Sequence, residues 1–309
     1  MKKIFIDGSV GTTGLRIVER LSARDDVQLI TLPEELRKDV SARKQALNSA
    51  DVAFLCLPDD AAREAVTLVE NENTVIIDAS TAHRTLPGWA YGFPELDVAF
   101  EEKIKHSKRI AVPGCHASGF IALVYPLIES GMLAKDTLLT CHSITGYSGG
   151  GKKMIAQYEG ERVNTLLNAP RQYALAQSHK HLKEMQAICG LENAPMFSPI
   201  VADFYSGMTV TVPIFQKQLQ KGSIADVKAL YRQKYNGELV TYVESIDETG
   251  FLSGLALSQK DSMQIAVYGN EERILLVAGY DNLGKGASGA AIECLNLAIK
   301  APKTKGLVL

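Results

Sequence analysis

A glycine-rich turn lies between a short apolar run and a helical pattern at the amino-terminal end of the sequence. The apolar run covers residues 4–6, the turn carries Gly8, Gly11 and Gly14 in a G-x-x-G-x-x-G pattern, and the helical pattern covers 13–24. Glycines let the backbone approach a pyrophosphate closely, and the start of a helix offers N–H groups and a positive dipole end to an anion. This strand–turn–helix context predicts a dinucleotide-binding site. The residues that we expect to contact the dinucleotide are Gly8, Ser9, Gly11, Thr12, Thr13 and Gly14.

Apolar and helical segments alternate through the first third of the chain. Residues 3–57 follow a β-α-β-α-β pattern, and two further apolar runs lie at 75–77 and 109–112. Strands that alternate with helices predict a parallel sheet that is covered by helices on both faces. We therefore expect an α/β domain of the Rossmann type.

The pattern changes after Cys115, where a glycine-rich stretch at 146–151 ends the regular alternation. Several later segments are rich in β-branched residues and alternate in polarity, which is typical of antiparallel strands. These segments are 208–215, 240–243, 264–268 and 273–278. They predict a second domain of the α+β class, which holds the substrate and has a mostly antiparallel sheet.

A final helical pattern at 288–300 has its apolar residues on one face, as expected for a helix that returns to pack on the first domain. The length of 309 residues suits two domains. We therefore expect a dinucleotide-binding domain over 1–115 and 285–309, and a catalytic, substrate-binding domain over 116–284.

The charge balance argues for a small-molecule partner. Lysine and arginine number 33 against 35 aspartate and glutamate residues, so the formal net charge is -2. Nucleic-acid binding needs a basic surface that neutralises phosphates, and membrane-surface binding needs a polybasic cluster. We expect neither nucleic acid nor membrane as a partner.

The cysteine pattern and the opening residues predict a cytoplasmic protein. The five cysteines are far apart and form no CxxC pair, so we expect reduced thiols and neither a disulfide framework nor a metal site. The first apolar stretch is interrupted by Asp7 before an export signal would form, and no apolar run reaches the roughly 20 residues of a membrane span.

Two pairs of charged residues bear on which dinucleotide binds. Glu34 and Glu35 are candidates for the acidic residue that takes a ribose 2′-OH, which would favour NAD. Arg37 and Lys38 lie beside them and would neutralise a 2′-phosphate, which would favour NADP, although charges on a loop are often merely solvated. The pattern leaves both cofactors open.

Cys115 is the candidate nucleophile. It follows an apolar run and a Pro-Gly turn and precedes a helical pattern that begins near His116. A helix N-terminus favours the thiolate, the reactive form of cysteine. Cys56, Cys141, Cys189 and Cys294 lie in apolar or helical segments, where we expect buried, inert thiols.

A thiolate nucleophile needs an acid/base partner, and the candidates are His179 and His181. Histidines two positions apart lie about 200° apart around a helix, so we expect one of the two to face Cys115. His116 is the weaker candidate because adjacent side chains on a helix point in different directions.

Several segments together resemble N-acetyl-gamma-glutamyl-phosphate reductases of the shorter type, over nearly the whole chain. These segments are 8–14, 78–84 (DASTAHR), 91–95 (YGFPE), 113–115 (PGC), 146–151, 179–181 (HKH) and 281–287 (DNLGKGA). The resemblance implies an NADPH-dependent reductase of arginine biosynthesis. In that reaction Cys115 displaces phosphate from N-acetylglutamyl 5-phosphate, and NADPH reduces the thioester to the 5-semialdehyde. It also implies a homo-oligomer, either a dimer or a tetramer.

The resemblance implies further roles for single residues. His179 is our choice for the base, with His181 second. Asn282, Lys285 and Gly286 would lie against the nicotinamide.

We expect Arg84 to hold the substrate phosphate, with Ser148 and Gly149 offering donors nearby. The alternatives are a surface ion pair for Arg84 and a flexible loop for the glycines.

The chain departs from the family pattern at one point, because His116 stands where an aromatic residue is usual. His116 either tunes the thiol or fills the place of that aromatic ring. Two rival functions stay open from the sequence: an aspartate-semialdehyde dehydrogenase, and a catalytically silent dinucleotide-binding regulator.

Overall fold

The computed structural model of the chain describes residues 1–161 and 164–309 and divides into two compact units. The first unit comprises Met1–Gly114 and Ala287–Leu307. The second comprises Cys115–Gly286 and Val308–Leu309. Cys115 is therefore the first residue of the second unit.

The first unit alternates strands and helices from its first residues onward. Its elements up to residue 111 are β1 (Lys2–Asp7), α1 (Thr12–Ser22), β2 (Val27–Ile30), α2 (Val40–Ser49), β3 (Val52–Leu55), α3 (Asp59–Thr67), β4 (Val75–Asp78), β5 (Ala90–Tyr91), α4 (Val98–His106) and β6 (Arg109–Ala111). The strands form one sheet in the order β2-β1-β3-β4-β6-β5, and every pairing is parallel. The prediction of a parallel α/β sheet is confirmed.

Apolar side chains on both faces of the strands explain this architecture. Successive residues of a strand point to opposite faces. Phe54 and Ile77 belong to one buried cluster together with Ile17 of α1, whereas Ala53 and Ile76 belong to a second cluster on the other face. Burial on both faces favours a parallel sheet between two layers of helices.

The second unit is built around a longer sheet. Its elements are α5 (Cys115–Glu129), β7 (Thr140–Gly146), α6 (Gly151–Glu159), β8 (Arg171–Gln172), α7 (His181–Cys189), β9 (Met196–Ala202), β10 (Met208–Phe215), α8 (Ile224–Lys234), β11 (Val240–Tyr242), β12 (Met263–Gly269) and β13 (Arg273–Tyr280). The strand order is β11-β12-β13-β10-β7-β9-β8.

This sheet is mixed, so the prediction of a mostly antiparallel sheet holds only in part: four of the six described pairings are antiparallel and two are parallel. β11 with β12 and β7 with β9 pair parallel, and the other described pairings are antiparallel. The parallel pair β7 and β9 is joined by a long crossover that contains α6 and α7, as parallel strands require. Alternating polarity reports that one face of a strand is buried, but it carries no information on the direction of its neighbour.

The last described helix is α9 (Gly289–Ala298), which belongs to the first unit. Ile292 and Leu295 of this helix are buried in the same cluster as Phe54 and Ile77. A helical turn at Gly284–Ser288 precedes it. No helix in the described residues is long and apolar enough to cross a membrane.

Candidate active site

The glycine-rich turn depends on its glycines for close backbone packing. Gly8 has a φ of +85°, and a Cβ at this position would lie 2.3 Å from the carbonyl oxygen of Cys56. A Cβ at Gly14 would lie 2.4 Å from the Gly8 carbonyl oxygen, and the Gly11 N–H donates to that same oxygen at 3.0 Å. Any side chain at Gly8 or Gly14 would push the turn away from β3 or α1.

A cavity of about 780 Å³ opens beside this turn in the first unit. Its walls include Gly8 and Ser9 of the turn and all four charged residues that the sequence singles out, Glu34, Glu35, Arg37 and Lys38. Gly11, Thr12, Thr13 and Gly14 continue the turn into α1 and are not among these walls. A cleft of this size, lined by a glycine turn and by two cations, fits the adenosine part of a dinucleotide.

A buried ion pair, which the sequence does not reveal, also lines this cavity. Arg43 of α2 donates from Nε to Asp7 Oδ2 at 3.0 Å, at the end of β1. Burial raises the pKa of Asp7, and the Arg43 guanidinium opposes that rise. The two residues lie 36 positions apart, so no local pattern connects them.

Cys115 is partly exposed at the first position of α5. The hydroxyl of Tyr280, at the end of β13, donates to the Cys115 carbonyl oxygen at 2.5 Å and accepts the Gly119 N–H at 3.0 Å. A Cβ at Gly119 would lie 2.6 Å from this hydroxyl. The first turn of α5 is thereby held on β13, which fixes the position of the candidate nucleophile.

The other four cysteines differ from Cys115 in their surroundings. Cys141, Cys189 and Cys294 are buried, and burial raises the pKa of both Cys141 and Cys189. Burial and two nearby carboxylates raise the pKa of Cys56 to about 12. The raised pKa values keep the Cys56, Cys141 and Cys189 thiols protonated near neutral pH, where they are poor nucleophiles.

Both candidate histidines lie in one cluster with His116. The ring centre of His116 is 5.8 Å from that of His179 and 5.7 Å from that of His181, and the latter two are 4.6 Å apart. The expectation that the two rings diverge is wrong, because α7 begins at His181 and His179 precedes it. The His181 N–H donates to His179 Nδ1 at 3.1 Å, which turns the His179 ring toward the helix start.

His116 is buried and hydrogen-bonded through both ring nitrogens. Nδ1 lies 2.6 Å from Ser143 Oγ, and Nε2 lies 2.6 Å from the Tyr173 hydroxyl. Burial, with a further contribution from His179, lowers the pKa of His116 to about 3. His116 is therefore neutral at physiological pH and is not an acid/base group there.

Asp281 organises the loop that follows β13. Its carboxylate accepts the Leu283 and Gly284 N–H groups at 2.7 and 2.8 Å on Oδ1, and the Ser206 hydroxyl and the Gln259 N–H at 2.6 Å each on Oδ2. This side chain is fully buried. The hydrogen bonds determine the path of the chain from residue 281 to residue 284.

The same loop brings three predicted site residues of the second unit close to Cys115 and Ser148. Asn282 Nδ2 donates to Ser148 Oγ at 3.0 Å, and a Cβ at Gly149 would lie 3.5 Å from that nitrogen. A Cβ at Gly286 would lie 3.1 Å from the Cβ of Cys115, so glycine permits a close approach of the two segments. Lys285, between them, is buried.

Arg84 is buried in the first unit, which rules out the surface ion pair considered from the sequence. Its Nε donates to the Val112 carbonyl at 2.8 Å and its Nη2 to the Ala79 carbonyl at 3.2 Å. These bonds tie the segment that follows β4 to the chain that leads into Pro113. The sequence did not single out the neighbouring pair, in which His83 Nδ1 lies 2.6 Å from Asp78 Oδ2.

Within residues 1–161 and 164–309, no group of three or more histidine, cysteine, aspartate or glutamate residues is placed to hold a metal ion.

Comparison with known proteins adds two family-model matches. Residues 33–106 match the model "semialdehyde dehydrogenase, NAD binding domain", and residues 115–282 match "semialdehyde dehydrogenase, dimerisation domain".

Curated relatives match over nearly the full length. The chain is 43% identical to N-acetyl-gamma-glutamyl-phosphate reductase 2 of Pseudomonas putida, over 98% of each chain. It is 44% identical to the N-acetyl-gamma-glutamyl-phosphate reductase of Sinorhizobium medicae, over 97% of this chain and 99% of that one. The reductase of Brucella ovis is 45% identical, over 96% and 98%.

Solved structures share the fold at low sequence identity. An aspartate semialdehyde dehydrogenase II from Vibrio cholerae superposes with a TM-score of 0.72 at 14% identity, over 97% of this chain and 98% of that one. An aspartate semialdehyde dehydrogenase with NADP from Candida albicans gives a TM-score of 0.66 at 14% identity, over 97% and 99%. These likenesses establish the fold alone.

Proposed function

The chain belongs to the N-acetyl-gamma-glutamyl-phosphate reductases, and we propose roles for its residues in the reaction of that family. It is an NADP-dependent oxidoreductase of arginine biosynthesis. It reduces N-acetyl-L-glutamyl 5-phosphate to N-acetyl-L-glutamate 5-semialdehyde and releases phosphate.

The placement of Cys115 carries the proposed mechanism. This thiol is partly exposed at the start of α5, and the next residue, His116, contacts both His179 and His181. In the first step Cys115 Sγ bonds to the acyl carbon, the bond from that carbon to the phosphate oxygen breaks, and a thioester remains on Cys115. Splitting the reduction through this covalent intermediate replaces one difficult step with two easier ones.

The histidine pair moves the proton of the first step. His179 accepts the His181 N–H at Nδ1, so its neutral ring carries a proton on Nε2 and donates a hydrogen bond from there. We therefore propose that His179 donates from Nε2 to the departing phosphate oxygen. His181, the second choice from the resemblance, then takes up the thiol proton in place of His179. The pair delivers that proton to the phosphate, which leaves as HPO₄²⁻, and the charges and protons of the step balance.

NADPH, when bound, supplies the hydride that reduces the acyl carbon of the thioester. Cys115 is released as the carbon–sulfur bond breaks, and its thiolate regains a proton from solvent. We propose that the glycine turn and the cavity beside it hold the adenosine and pyrophosphate of the cofactor, with Arg37 and Lys38 at the 2′-phosphate. We propose the nicotinamide end for Asn282, Lys285 and Gly286.

Substrate contacts are proposed for two regions of the chain. Ser148 and Gly149 adjoin Asn282 in the same unit as Cys115, which supports their proposed contact with the acyl phosphate. Arg84 is buried and donates to two main-chain carbonyls, and we propose that it contributes to substrate binding through its positive charge.

We propose that the unit of Met1–Gly114 and Ala287–Leu307 is the NADP-binding domain and that the other unit binds substrate and forms a homodimer or homotetramer. The match of residues 115–282 to a dimerisation domain supports the second part. Five cysteine thiols without a disulfide support a cytoplasmic location, and the near-neutral charge argues against nucleic acid as a partner.

A substrate comparison tests this function against its nearest rival. With NADP and phosphate, the enzyme should oxidise N-acetylglutamate 5-semialdehyde with a kcat/KM at least about 100-fold above that for aspartate semialdehyde, which is shorter and carries a free amine. A preference for the aspartyl compound would overturn the proposal.

A further inference from the structure

Tyr173 lies in the histidine cluster although no sequence motif marks it. Its hydroxyl is 2.6 Å from His116 Nε2, and its ring centre is 6.0 Å from that of His179. His116 is anchored in turn, because its Nδ1 lies 2.6 Å from Ser143 Oγ on β7. A chain of hydrogen bonds therefore runs from the central sheet through α5 to Tyr173.

The chemistry of the three groups determines which of them donates in each of these hydrogen bonds. A neutral imidazole has one N–H donor and one acceptor nitrogen, so one of its two hydroxyl partners donates to His116 and the other accepts from it. A phenol is a stronger acid than an alcohol, which favours Tyr173 as the donor to Nε2 and Ser143 as the acceptor from Nδ1. His116 remains neutral because its burial opposes a charge.

The segment between β8 and α7 carries His179 and depends on hydrogen bonds to neighbouring elements to hold its conformation. Ala174 and Gln177 each have a φ of +53°, a strained conformation that non-glycine residues keep only when surrounding contacts hold them. The Gln177 side chain bonds twice to the backbone of Phe197 on β9, at 2.7 and 2.8 Å. The Tyr173 N–H donates to the Pro199 carbonyl at 3.0 Å.

We propose that Tyr173 is a positioning residue for His179, and that His116, held by Ser143, fixes it there through the bond to its hydroxyl. The inference rests on the proposed function, because it takes His179 as a group that acts on the reacting phosphate. It also gives His116 a role different from the two considered from the sequence: this histidine supplies a hydrogen-bond acceptor to Tyr173, rather than tuning the thiol or only filling the place of an aromatic ring.

The test compares variants that delete or keep single hydrogen bonds. Tyr173→Phe should lower kcat about 10-fold while KM for NADPH stays within about twofold, because the variant loses alignment and keeps cofactor binding. Tyr235→Phe is the matched control: it removes a buried hydroxyl that donates to the Ala122 carbonyl of α5 at 2.6 Å, remote from His116. We expect kcat of this control within about twofold of the original enzyme.

Two substitutions of His116 distinguish its hydrogen bond to Ser143 from its hydrogen bond to Tyr173. His116→Asn keeps a polar atom near Ser143 and loses the bond to Tyr173, so it should match Tyr173→Phe. His116→Gln reaches the position of Nε2 and should restore most of kcat. The double variant His116→Asn with Tyr173→Phe should lose no more than either single variant, because both delete the same bond.

Additive losses, or a Tyr173→Phe enzyme with unchanged kcat, would overturn the inference. Cys115→Ser distinguishes this failure from failure of the proposed function. If Cys115→Ser retains turnover, the covalent route is wrong; if it is inactive while Tyr173→Phe is unaffected, the positioning role alone is wrong.

Discussion

At the scale of single residues, Cys115 differs from the other cysteines in its position at the start of a helix. Cys115 is partly exposed there, whereas burial keeps Cys141 and Cys189 protonated. Cys56 is partly exposed as well, but its pKa is raised to about 12. This contrast makes the nucleophile testable by single substitutions with an internal control.

Cys115→Ser should bind NADPH with unchanged affinity and lose more than about 1,000-fold in turnover, because a hydroxyl at neutral pH is a far weaker nucleophile than a thiolate. Fluorescence titration of NADPH and steady-state assays measure the two properties. Cys189→Ser, at a buried thiol, is the control and should keep its turnover. Activity of Cys115→Ser within about 10-fold of the original enzyme would contradict the covalent route.

His179→Asn should lower kcat/KM roughly 10²–10⁴-fold, the usual contribution of a general acid/base. The Asn Oδ1 can accept the His181 N–H in place of Nδ1, so the helix start should stay intact and the melting temperature should change little. Steady-state kinetics and thermal melting check both points. If His179→Asn is nearly as active as the original enzyme and His181→Asn is not, His181 alone moves the proton.

The sequence identifies the nucleophile and both histidines because each lies in a short local pattern. No local pattern identifies Ser143 or Tyr173, because they contact His116 from 27 and 57 positions away in the sequence. Their partnership arises from the sheet topology, which places β7 and β8 on either side of β9.

At the scale of elements, the cavity beside the glycine turn combines acidic and basic residues on one short segment. A 2′-phosphate carries negative charge that Arg37 and Lys38 would neutralise. The double variant Arg37→Ala with Lys38→Ala should raise KM for NADPH about 10-fold and leave KM for NADH nearly unchanged. Steady-state kinetics with both cofactors measure the two KM values. Equal increases in KM for NADPH and NADH would show that Arg37 and Lys38 do not bind the 2′-phosphate.

The loop after β13 depends on one carboxylate. Asp281→Asn replaces an acceptor of four hydrogen bonds by an amide whose NH₂ group faces two of the donors, so the free energy of unfolding should fall by about 2–3 kcal/mol. Asp247→Asn, at an exposed loop carboxylate that accepts the Gly250 N–H, is the control and should cost much less. Equal losses in urea unfolding would show that burial of Asp281 adds nothing.

Element type follows from periodicity more readily than strand direction does. The alternation over 3–57 predicts the parallel sheet of the first unit, because strands separated by helices pair parallel. In the second unit the segments 240–243 and 264–268 are observed as β11 and β12, yet these pair parallel. The error lies in the assumption that alternating strands without a helical pattern between them run antiparallel.

At the scale of the whole molecule, the buried imidazole of His116 couples stability to pH. Its pKa falls from 6.5 to about 3 in the folded state. Between pH 6.5 and pH 3, His116 therefore binds a proton in the unfolded chain but not in the folded chain. Stability from this group is complete above pH 6.5 and is lost as the pH falls toward 3. Between pH 7.5 and pH 5 the loss is about 2 kcal/mol.

His116→Phe should remove this dependence. Urea unfolding at pH 7.5 and pH 5 measures the difference, and the original protein should lose about 2 kcal/mol more than the variant over this range. The same pH dependence in both proteins would mean that His116 titrates normally in the folded state.

Trapping the acyl-enzyme tests the central claim most directly. The enzyme is mixed with N-acetylglutamyl 5-phosphate in the absence of NADPH, and its intact mass and peptide masses are measured. The account predicts a mass increase of one N-acetylglutamyl group on the peptide that contains Cys115, absent from Cys115→Ser and removed when NADPH is added. A fully active preparation that forms no such adduct, or carries it on another residue, would contradict the account.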